Sequence, residues 1–360
     1  MNEDCLKLTA YFAERDRSGG RFLGDALLDI CARHRLQTSV LLRGAEGFGL
    51  HQVLQTDRLL SLSEDLPIVV AAVDTRERIE AALPEVGAVA SHGLLTLERA
   101  RMLTGQVDHV SLPEELHEAS KLTVYCGRYE RSDRQPAFVA IVDLLHRRGA
   151  MSANVLLGID GTAHGVRERA RFFGRNAQVP LMIIAVCHGA DLSALLPEIA
   201  ALLERPLLTL ERVRICKVDG RRLAEPQQLS EPDEAGMTTW VKLMVHADQD
   251  TRHAGRPLYV EIVRRLRRAK ASGATVLQGI WGYHGERPPQ GDKLLSLRRH
   301  VPTTTIVIDT PERIRQWFEI VDELTDEAGV VTSELVPAFR ARGEWGEAGG
   351  LRLADKHPRS

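Results

Sequence analysis

The order of apolar and polar residues near the start of the chain predicts a strand, a helix and a second strand. Apolar residues occupy every second position from Leu6 to Phe12, which is typical of a half-buried β-strand. Apolar pairs then recur every four positions from Phe22 to Cys31 and indicate an amphipathic helix. A short apolar run at residues 40–42 follows, and it predicts a second strand that ends in glycines.

The next segment predicts a buried strand, a second helix and a final strand. Residues 68–73 are all apolar, and Thr75 can then cap the following helix. Much later in the chain the same pattern places Thr310 before Pro311, where a proline at the first helical position loses no hydrogen bond. Residues 94–97 close the unit as a fourth strand. The order βαββαβ predicts an α+β unit of the ferredoxin-like kind, with one sheet under two helices.

The same unit occurs three times in the chain. Lys7 is repeated as Lys121 and Lys242, at offsets of 114 and 235 residues, and Pro67 is repeated as Pro180 at an offset of 113. A single one-residue slip over that length is what duplication leaves, whereas chance similarity would drift. The sequence therefore predicts three tandem copies.

The copies divide the chain into three domains, two linkers and a tail. The predicted boundaries are 4–105, 119–218 and 238–341 for the repeats, 106–118 and 219–237 for the linkers, and 342–360 for a mobile tail. One unit covers only one face of its sheet with helices, so we expect the three sheets to face one another around a pseudo-threefold axis. Joining the copies makes this assembly intramolecular. The prediction is an intrachain pseudo-trimer that is monomeric as a chain.

Composition narrows the class of protein. Lys and Arg number 47 against 49 Asp and Glu, so the net charge is −2 and a general nucleic-acid binder is disfavoured. No apolar run approaches the roughly 20 residues that span a bilayer, and residues 1–4 lack the basic and apolar regions of a secretion signal. The five cysteines are an odd set without CxxC spacing, which disfavours a disulfide framework or a zinc ribbon. We expect a cytoplasmic protein with no direct membrane insertion.

The segment after the second strand resembles a known family. Residues 43–49, Arg-Gly-Ala-Glu-Gly-Phe-Gly, and the later Leu66-Pro67 step are similar to the PII signalling superfamily, in which a Gly-Phe-Gly segment leads into a long loop. The helix start at residues 20–23 and the approach to the third strand at residues 62–67 look more closely like the PII-like domain-of-unknown-function 190 family. The likeness covers essentially the whole of each copy.

The resemblance implies a fold and a kind of site. Relatives are typically homotrimers of ferredoxin-like subunits, and PII proteins bind adenine nucleotides in the three clefts between subunits, so one polypeptide would here be the trimer. Glycines at the base of the loop let the backbone approach a nucleotide, and arginines at the end of the last strand reach phosphates. Carried onto this sequence, the ligand-binding residues are Arg21, Arg43, Gly44, Gly47, Phe48, Gly49, Arg101, Gly158, Gly161, Arg214, Lys217, Arg256, Gly279 and Gly282.

The sequence also departs from the PII pattern. Leu103 stands where a second arginine would follow Arg101, and Gln135-Pro136 replaces the Gly-Arg helix start in the second copy. The PII phosphate loop is not preserved at residues 89–94. The ligand is therefore open between an adenine nucleotide, another small anion and a protein partner that uses the exposed loops. We predict one or two sites in each chain.

Several patterns also have a structural interpretation. The glycines serve either a ligand or a strand end that requires positive φ or a bulge. Lys7, Lys121 and Lys242 share one strand position, and we interpret them as a polar sheet face around the axis. The histidines show no repeated metal-ligand spacing, so no metal site is predicted.

The function that these observations favour is regulatory. The chain has neither a GxxxxGK[ST] nor a GxSxG motif, and we assign no catalytic residue. The leading hypothesis is a PII-like protein that binds a small charged metabolite or nucleotide between repeats and transmits binding through mobile loops. Two alternatives are a structural adaptor with degenerate clefts and an enzyme with one active cleft between unlike repeats.

Overall fold

The computed structural model describes most of the chain. The described residues are 2–49, 51–56, 65–90, 92–105, 107, 119–163, 166–167, 180–229, 239–291, 301–342 and 345–349. Within them the chain is a mixed α/β protein with six helices and extended antiparallel sheets. The predicted linker at 106–118 lies outside the described residues except for residue 107.

Each repeat contains two helices and four main strands, with shorter strands between them. Repeat 1 has β1 Asn2–Ala13, β2 Arg17–Ser18, β3 Arg21–Phe22, α1 Leu23–Arg33, β4 Thr38–Arg43, β5 Glu46–Phe48, β6 Gln55–Thr56, β7 Pro67–Thr75, α2 Arg76–Val89 and β8 His92–Thr104. Repeat 2 has β9 Ala119–Gly127, β10 Arg131–Ser132, β11 Gln135–Pro136, α3 Ala137–Arg147, β12 Ser152–Leu157, β13 Asp160–Ala163, β14 Val166–Arg167, β15 Pro180–His188, α4 Gly189–Ala200, β16 Leu207–Arg212, β17 Arg214–Val218 and β18 Arg221–Arg222. Repeat 3 has β19 Trp240–Asp248, β20 Arg252–His253, β21 Arg256–Pro257, α5 Leu258–Arg268, β22 Ala274–Gln278, β23 Trp281–His284, β24 Gln290–Gly291, β25 Pro302–Asp309, α6 Pro311–Leu324, β26 Val330–Val336, β27 Ala338–Arg342 and β28 Trp345–Gly349.

The last of these strands lies inside the segment predicted to be a mobile tail. β28 pairs with β27 in an antiparallel hairpin, from Ala338 opposite Gly349 to Arg342 opposite Trp345. Residues 350–360 of the predicted tail lie outside the described residues. The regular structure of the chain therefore extends at least to Gly349.

The four main strands have the same order in every repeat. Neighbours across the sheet are β4-β7-β1-β8 in repeat 1, β12-β15-β9-β16 in repeat 2 and β22-β25-β19-β26 in repeat 3. The first strand of each repeat is thus central, flanked by the third and the fourth strands in antiparallel pairing. When the four main strands of a repeat are numbered in chain order, their order across the sheet is 2-3-1-4.

The two faces of each sheet enter different cores, because successive side chains of a strand point to opposite faces. On one face of β1, Leu8 packs in a core with Ile30 of α1 and Ile79 of α2. On the other face, Cys5 lies in a core that also contains Tyr125 of repeat 2 and Met244 of repeat 3. The inner faces of the three sheets therefore share one core.

The second helix of repeats 1 and 3 starts where the sequence predicts, but not by the predicted cap. Neither Thr75 nor Thr310 makes a side-chain cap hydrogen bond to its helix. Instead the backbone N–H of Thr75 donates to Asp74 Oδ1 at 2.6 Å, and that of Thr310 donates to Asp309 Oδ1 at 3.0 Å. The capping prediction is wrong: at both helix starts the hydrogen bond is made by the aspartate that precedes the threonine, and not by the threonine hydroxyl.

Three short strands cross from one repeat to another. We call β5, β13 and β23 the glycine strands, because they contain Gly47, Gly161 and Gly282 respectively. β5 of repeat 1 pairs with β22 of repeat 3, β13 of repeat 2 with β4 of repeat 1, and β23 of repeat 3 with β12 of repeat 2. Every repeat therefore gives one glycine strand and receives one, which closes a cycle.

A second set of strands closes a cycle in the opposite direction. We call the end of β8 at residues 101–104, together with β17 and β27, the extension strands. They pair with β16 of repeat 2, β26 of repeat 3 and β8 of repeat 1 respectively. Each pair of repeats thus shares one glycine strand and one extension strand.

Six charged side chains are buried where the three inner sheet faces meet. None is more than 5% exposed, and we call them the central charge ring: Lys7, Lys121, Lys242, Glu98, Glu211 and Glu334. Each lysine Nζ donates to a glutamate of the next repeat, at 2.9 Å from Lys7 to Glu211, 2.6 Å from Lys121 to Glu334 and 2.7 Å from Lys242 to Glu98. The polar sheet face predicted from the lysines is therefore an enclosed set of ion pairs that links all three repeats.

We predict that removing one carboxylate from the ring destabilises the protein strongly. Glu211→Gln leaves both Lys7 at 2.9 Å and Lys121 at 3.3 Å without this anion, and breaking a buried ion pair costs about 3–5 kcal/mol. The control is Arg33→Met, which breaks the ion pair with Glu85 on the outer helices, where both side chains are exposed. Urea unfolding should show a large loss for the first variant and little change for the second, and equal midpoints would contradict the prediction.

We also predict that the free energy of unfolding falls in acid through Glu98. Burial by itself raises the pKa of this carboxyl, but Lys242, Lys7 and Lys121 outweigh burial and lower the pKa from 4.5 to about 2. A folded-state pKa below the unfolded one contributes stability that is complete above about pH 4.5 and is lost as the pH falls toward about 2. Urea unfolding across this range should show a shallower pH dependence in Glu98→Gln than in the wild type.

Candidate functional site: the junctions between repeats

The predicted ligand-binding residues are distributed over three junctions, each between two repeats. The residues at the junction of repeats 1 and 2 are Arg21, Arg101, Gly158 and Gly161. Those at the junction of repeats 2 and 3 are Arg214, Lys217, Gly279 and Gly282, and those at the junction of repeats 3 and 1 are Gly44, Gly47, Phe48 and Gly49. Arg43 and Arg256 pair with acidic residues of their own repeats, Glu14 and Glu261. The residues are thus brought to three places rather than to one.

The glycines of the glycine strands are required by the backbone of the neighbouring repeat. A Cβ added to Gly47, Gly161 or Gly282 would lie closer than 3.0 Å to the backbone oxygen of Ala274, Ser39 or Ala153, which real Cβ atoms essentially never do. Among the candidate glycines only Gly282 has a positive φ, of 146°. Close approach of two strands therefore explains these glycines better than backbone conformation does.

The residue after each of these glycines anchors one repeat in the next. Phe48 lies in the core of repeat 3, in the same cluster as Ile262 of α5, and is 3% exposed. Tyr283 lies in the core of repeat 2, where its hydroxyl donates to the backbone oxygen of Ala150 at 2.8 Å. Two of the three junctions are therefore fixed by a buried aromatic ring.

The junction of repeats 1 and 2 has a polar anchor instead. Thr162 occupies the position of Phe48 and Tyr283, and its hydroxyl lies 2.9 Å from that of Ser39. The hydroxyl of Thr38 donates to the backbone oxygen of Thr162 at 3.0 Å. This junction consequently buries less apolar surface than the other two at the equivalent position.

An acidic cluster at the same junction holds an arginine of repeat 2. Arg167 lies 2.8 Å from both Asp25 of α1 and Asp160 of β13, and it also pairs with Asp29. Asp29 pairs in turn with Arg21. Burial acts to raise the pKa of Asp29, but the hydrogen bonds from the two arginines lower it overall. Arg21 is therefore already paired with a carboxylate, while its side chain remains 59% exposed.

The basic residues of the extension strands differ in how firmly they are held. Lys217 is buried, and its ammonium lies 2.7 Å from the carboxylate of Asp322. Within the described residues, the side chain of Arg214 makes a single long contact, of 3.5 Å, to the backbone oxygen of Glu225. Arg101 is 28% exposed, and it lies 3.3 Å from Asp4, whose side chain is 88% exposed. Because an exposed pair of this kind contributes little free energy, the contact with Asp4 holds Arg101 only weakly.

Sequence reasoning missed the acidic half of the central charge ring. Glu98 and Glu211 follow directly after the Leu-Thr-Leu segments that close repeats 1 and 2, and Glu334 occupies the equivalent place in repeat 3. The offset of 113 from Glu98 to Glu211 equals that from Pro67 to Pro180, and the offset of 236 to Glu334 differs by one residue from the 235 between Lys7 and Lys242, so the repeat alignment could have identified these glutamates. The lysines alone could not show that their partners come from a different repeat.

The described residues give no indication of a metal site or a membrane span. No group of three or more His, Cys, Asp or Glu side chains among them could hold a metal ion. None of the helices in the described part of the chain has the length and apolar character needed to cross a membrane.

Comparison with known proteins finds one family along the chain. The model of the DUF190 family, described as an uncharacterized ACR, matches residues 5–102, 119–215 and 240–338. A UPF0166 protein of Aquifex aeolicus is 30% identical over 77 residues, which are 21% of this chain and 73% of that protein. A UPF0166 protein of Methanocaldococcus jannaschii is 25% identical over 100 residues, which are 28% of this chain and 92% of that protein.

Among solved structures, aspartate kinase from Synechocystis shows a weak likeness. The TM-score is 0.26 and the sequence identity 10%, over 98% of this chain. The chain spans 48% of the length of that kinase.

We predict that Gly161→Ala destabilises the junction of repeats 1 and 2, whereas Gly49→Ala does not. A methyl group at residue 161 meets the backbone oxygen of Ser39, and forcing extra volume into a packed site costs about 1–3 kcal/mol. A Cβ at Gly49 meets nothing within 4 Å, so its change should stay within about 0.5 kcal/mol. Urea unfolding of both variants measures the difference, and an equal effect would rule out strand approach as the reason for Gly161.

Proposed function

Because this chain belongs to the DUF190 family, of which it contains three copies, we propose that it is a regulatory protein of the PII-like kind. In this proposal the copies are ferredoxin-like units that form a pseudo-trimer within one chain. The 2-3-1-4 strand order of every repeat and the two closed cycles of strand exchange support this arrangement.

The proposed activity is reversible binding of a small charged metabolite or nucleotide at the junctions, without turnover. The observation that carries it is the presence of one glycine strand and one extension strand at every junction, because the resemblance to PII proteins implies ligand contacts on these two elements. Binding there would alter the segments that follow the glycine strands and so signal to a protein partner.

The best candidate position for an anionic group is Arg101. Its partner Asp4 is largely exposed, so a phosphate can replace that carboxylate at little cost. Arg214 is the equivalent residue in repeat 2, whereas repeat 3 has Pro337 at this position. The proposal therefore includes one or two anion sites in each chain.

We predict that isothermal titration with AMP, ADP, ATP and cyclic AMP gives saturable binding of at least one of them, with one or two sites per chain. Arg101→Ala should weaken this binding at least tenfold, about 1.4 kcal/mol, since the variant removes the cation that is proposed to contact the phosphate. Arg33→Ala is the matched control, because it removes an exposed arginine whose partner, Glu85, lies on the outer helix α2.

Three results of this titration would count against the proposal. Absence of heat for all four nucleotides at high micromolar concentration would remove nucleotide binding. Three equivalent sites per chain would contradict the proposal that Arg101 and Arg214 can each form an anion site whereas Pro337 in repeat 3 cannot. Equal affinities of Arg101→Ala and the wild type would remove Arg101 from the site.

A further inference from the structure

One junction departs from the other two on its inner face. Five buried polar residues meet there between repeats 2 and 3, and none is more than 6% exposed. We call them the 2/3 polar cluster: Ser152, Asn154, His246, His284 and Thr304. The other repeats carry different residues at these positions, for example Val40 and Thr275 for Asn154, Val69 and Met182 for Thr304, and Tyr11 and Tyr125 for His246.

A directed chain of hydrogen bonds runs through three members of the cluster. Asn154 Nδ2 donates to Thr304 Oγ1 at 3.0 Å. The hydroxyl of Thr304, which lies 3.4 Å from His246 Nδ1, is then free to donate to that nitrogen. Because the Thr304 hydroxyl proton has no other acceptor among the described residues, we assign Nδ1 of His246 as its acceptor and place the ring proton on Nε2. This Nε2–H has no hydrogen-bond partner among the described residues.

His284 presents the complementary atom. Its Nε2 lies 2.9 Å from Asp219 Oδ1, so this nitrogen carries a proton and donates it to the carboxylate. The other ring nitrogen, Nδ1, is an acceptor in the neutral imidazole and has no partner within the described part of the chain. Ser152 lies opposite His284 in the strand pair, and its hydroxyl is unpartnered within the same residues.

The two histidines lie near each other, and their surroundings are already neutralised. Burial, together with the nearby His284 and Lys121, lowers the pKa of His246 to about 3, so His246 is uncharged at neutral pH. Lys121 is bound to Glu211 and Glu334, and Asp248 lies 2.9 Å from Arg287. A ligand that suits this environment is uncharged and offers a group that both accepts and donates a hydrogen bond.

Unsatisfied buried polar atoms are costly, and natural sequences retain them mainly where they serve a function. In repeat 1 the positions of Asn154, Thr304 and His246 are filled by Val40, Val69 and Tyr11, so the fold itself does not require an amide, a hydroxyl or an imidazole at these three positions. We propose that the 2/3 polar cluster binds one small neutral polyol per chain, with a hydroxyl that accepts from His246 Nε2–H and donates to His284 Nδ1. This inference rests on the proposed function, in which the junctions bind small molecules.

The test is nuclear magnetic resonance of the full chain with ¹⁵N-labelled histidine, titrated with glycerol and with D-ribose. Inorganic phosphate serves as the charged comparison, and His246→Tyr assigns the ring signals. We expect saturable shifts of the ring nitrogens of His246 and His284 with one polyol per chain, and no response to phosphate. The double variant Asn154→Val with Thr304→Val, which adopts the residues of repeat 1, should weaken this response at least tenfold.

A matched control distinguishes loss of the binding site from general destabilisation of the protein. Thr275→Val changes the repeat 3 equivalent of Asn154 outside the cluster, and it should leave the polyol response unchanged. Urea unfolding of each variant shows whether it is folded, and Thr304→Val alone replaces the double variant if the latter is not. No shift with either polyol, an equal response in the double variant, or a response to phosphate would each overturn the site.

This result is separable from the test of the proposed function. If the double variant Asn154→Val with Thr304→Val binds nucleotide as the wild type does, and no polyol response is seen, then the 2/3 polar cluster is not a polyol site. The proposed function would be unaffected by that result. A polyol response in a chain that binds no nucleotide would retain the site and remove the nucleotide proposal.

Discussion

The fold depends on the central charge ring, because the closest partner of every charge in it belongs to a different repeat. Lys7 and Glu98 are direct neighbours in the first and fourth strands of repeat 1, yet the closest partners of these groups are Glu211 of repeat 2 and Lys242 of repeat 3. The same exchange holds for the other lysine and glutamate pairs. Burying six charges is tolerable only when each has several partners, so the inner sheet faces of the repeats must close together.

The two cycles of strand exchange determine how the three repeats pair, whereas the side chain that anchors each junction differs from one junction to the next. Phe48 and Tyr283 insert aromatic rings into neighbouring cores, but Thr162 forms hydroxyl contacts with Ser39. The backbone pairing is therefore threefold, whereas the side-chain energetics are not. Junctions that share one backbone design can thus differ in stability and in the chemistry that they offer to a ligand.

Most elements of the fold could be predicted from the sequence, because strand and helix periodicities are local. The repeat offsets also placed Lys7 and its equivalents correctly on one face. What could not be predicted are contacts that depend on how one repeat meets another: Gly161 faces the backbone of Ser39, and Arg21 is linked through Asp29 to an arginine of repeat 2. For the glycines, resemblance indicated a ligand and local conformation indicated positive φ, whereas close strand approach explains them.

Fusion of the repeats changes what a substitution can do. In an assembly of identical subunits, a histidine at the position of His246 would appear three times around the axis, and an asparagine at the position of Asn154 would appear at every junction. In one chain each appears once, so a polar cluster can form at a single junction while the others keep Val40 or Tyr125 in place. The central charge ring requires the same lysine and the same glutamate in all three copies, and all three copies carry them. The residues beside the ring are under no such constraint. Specialisation of one junction is therefore compatible with a closure that remains threefold.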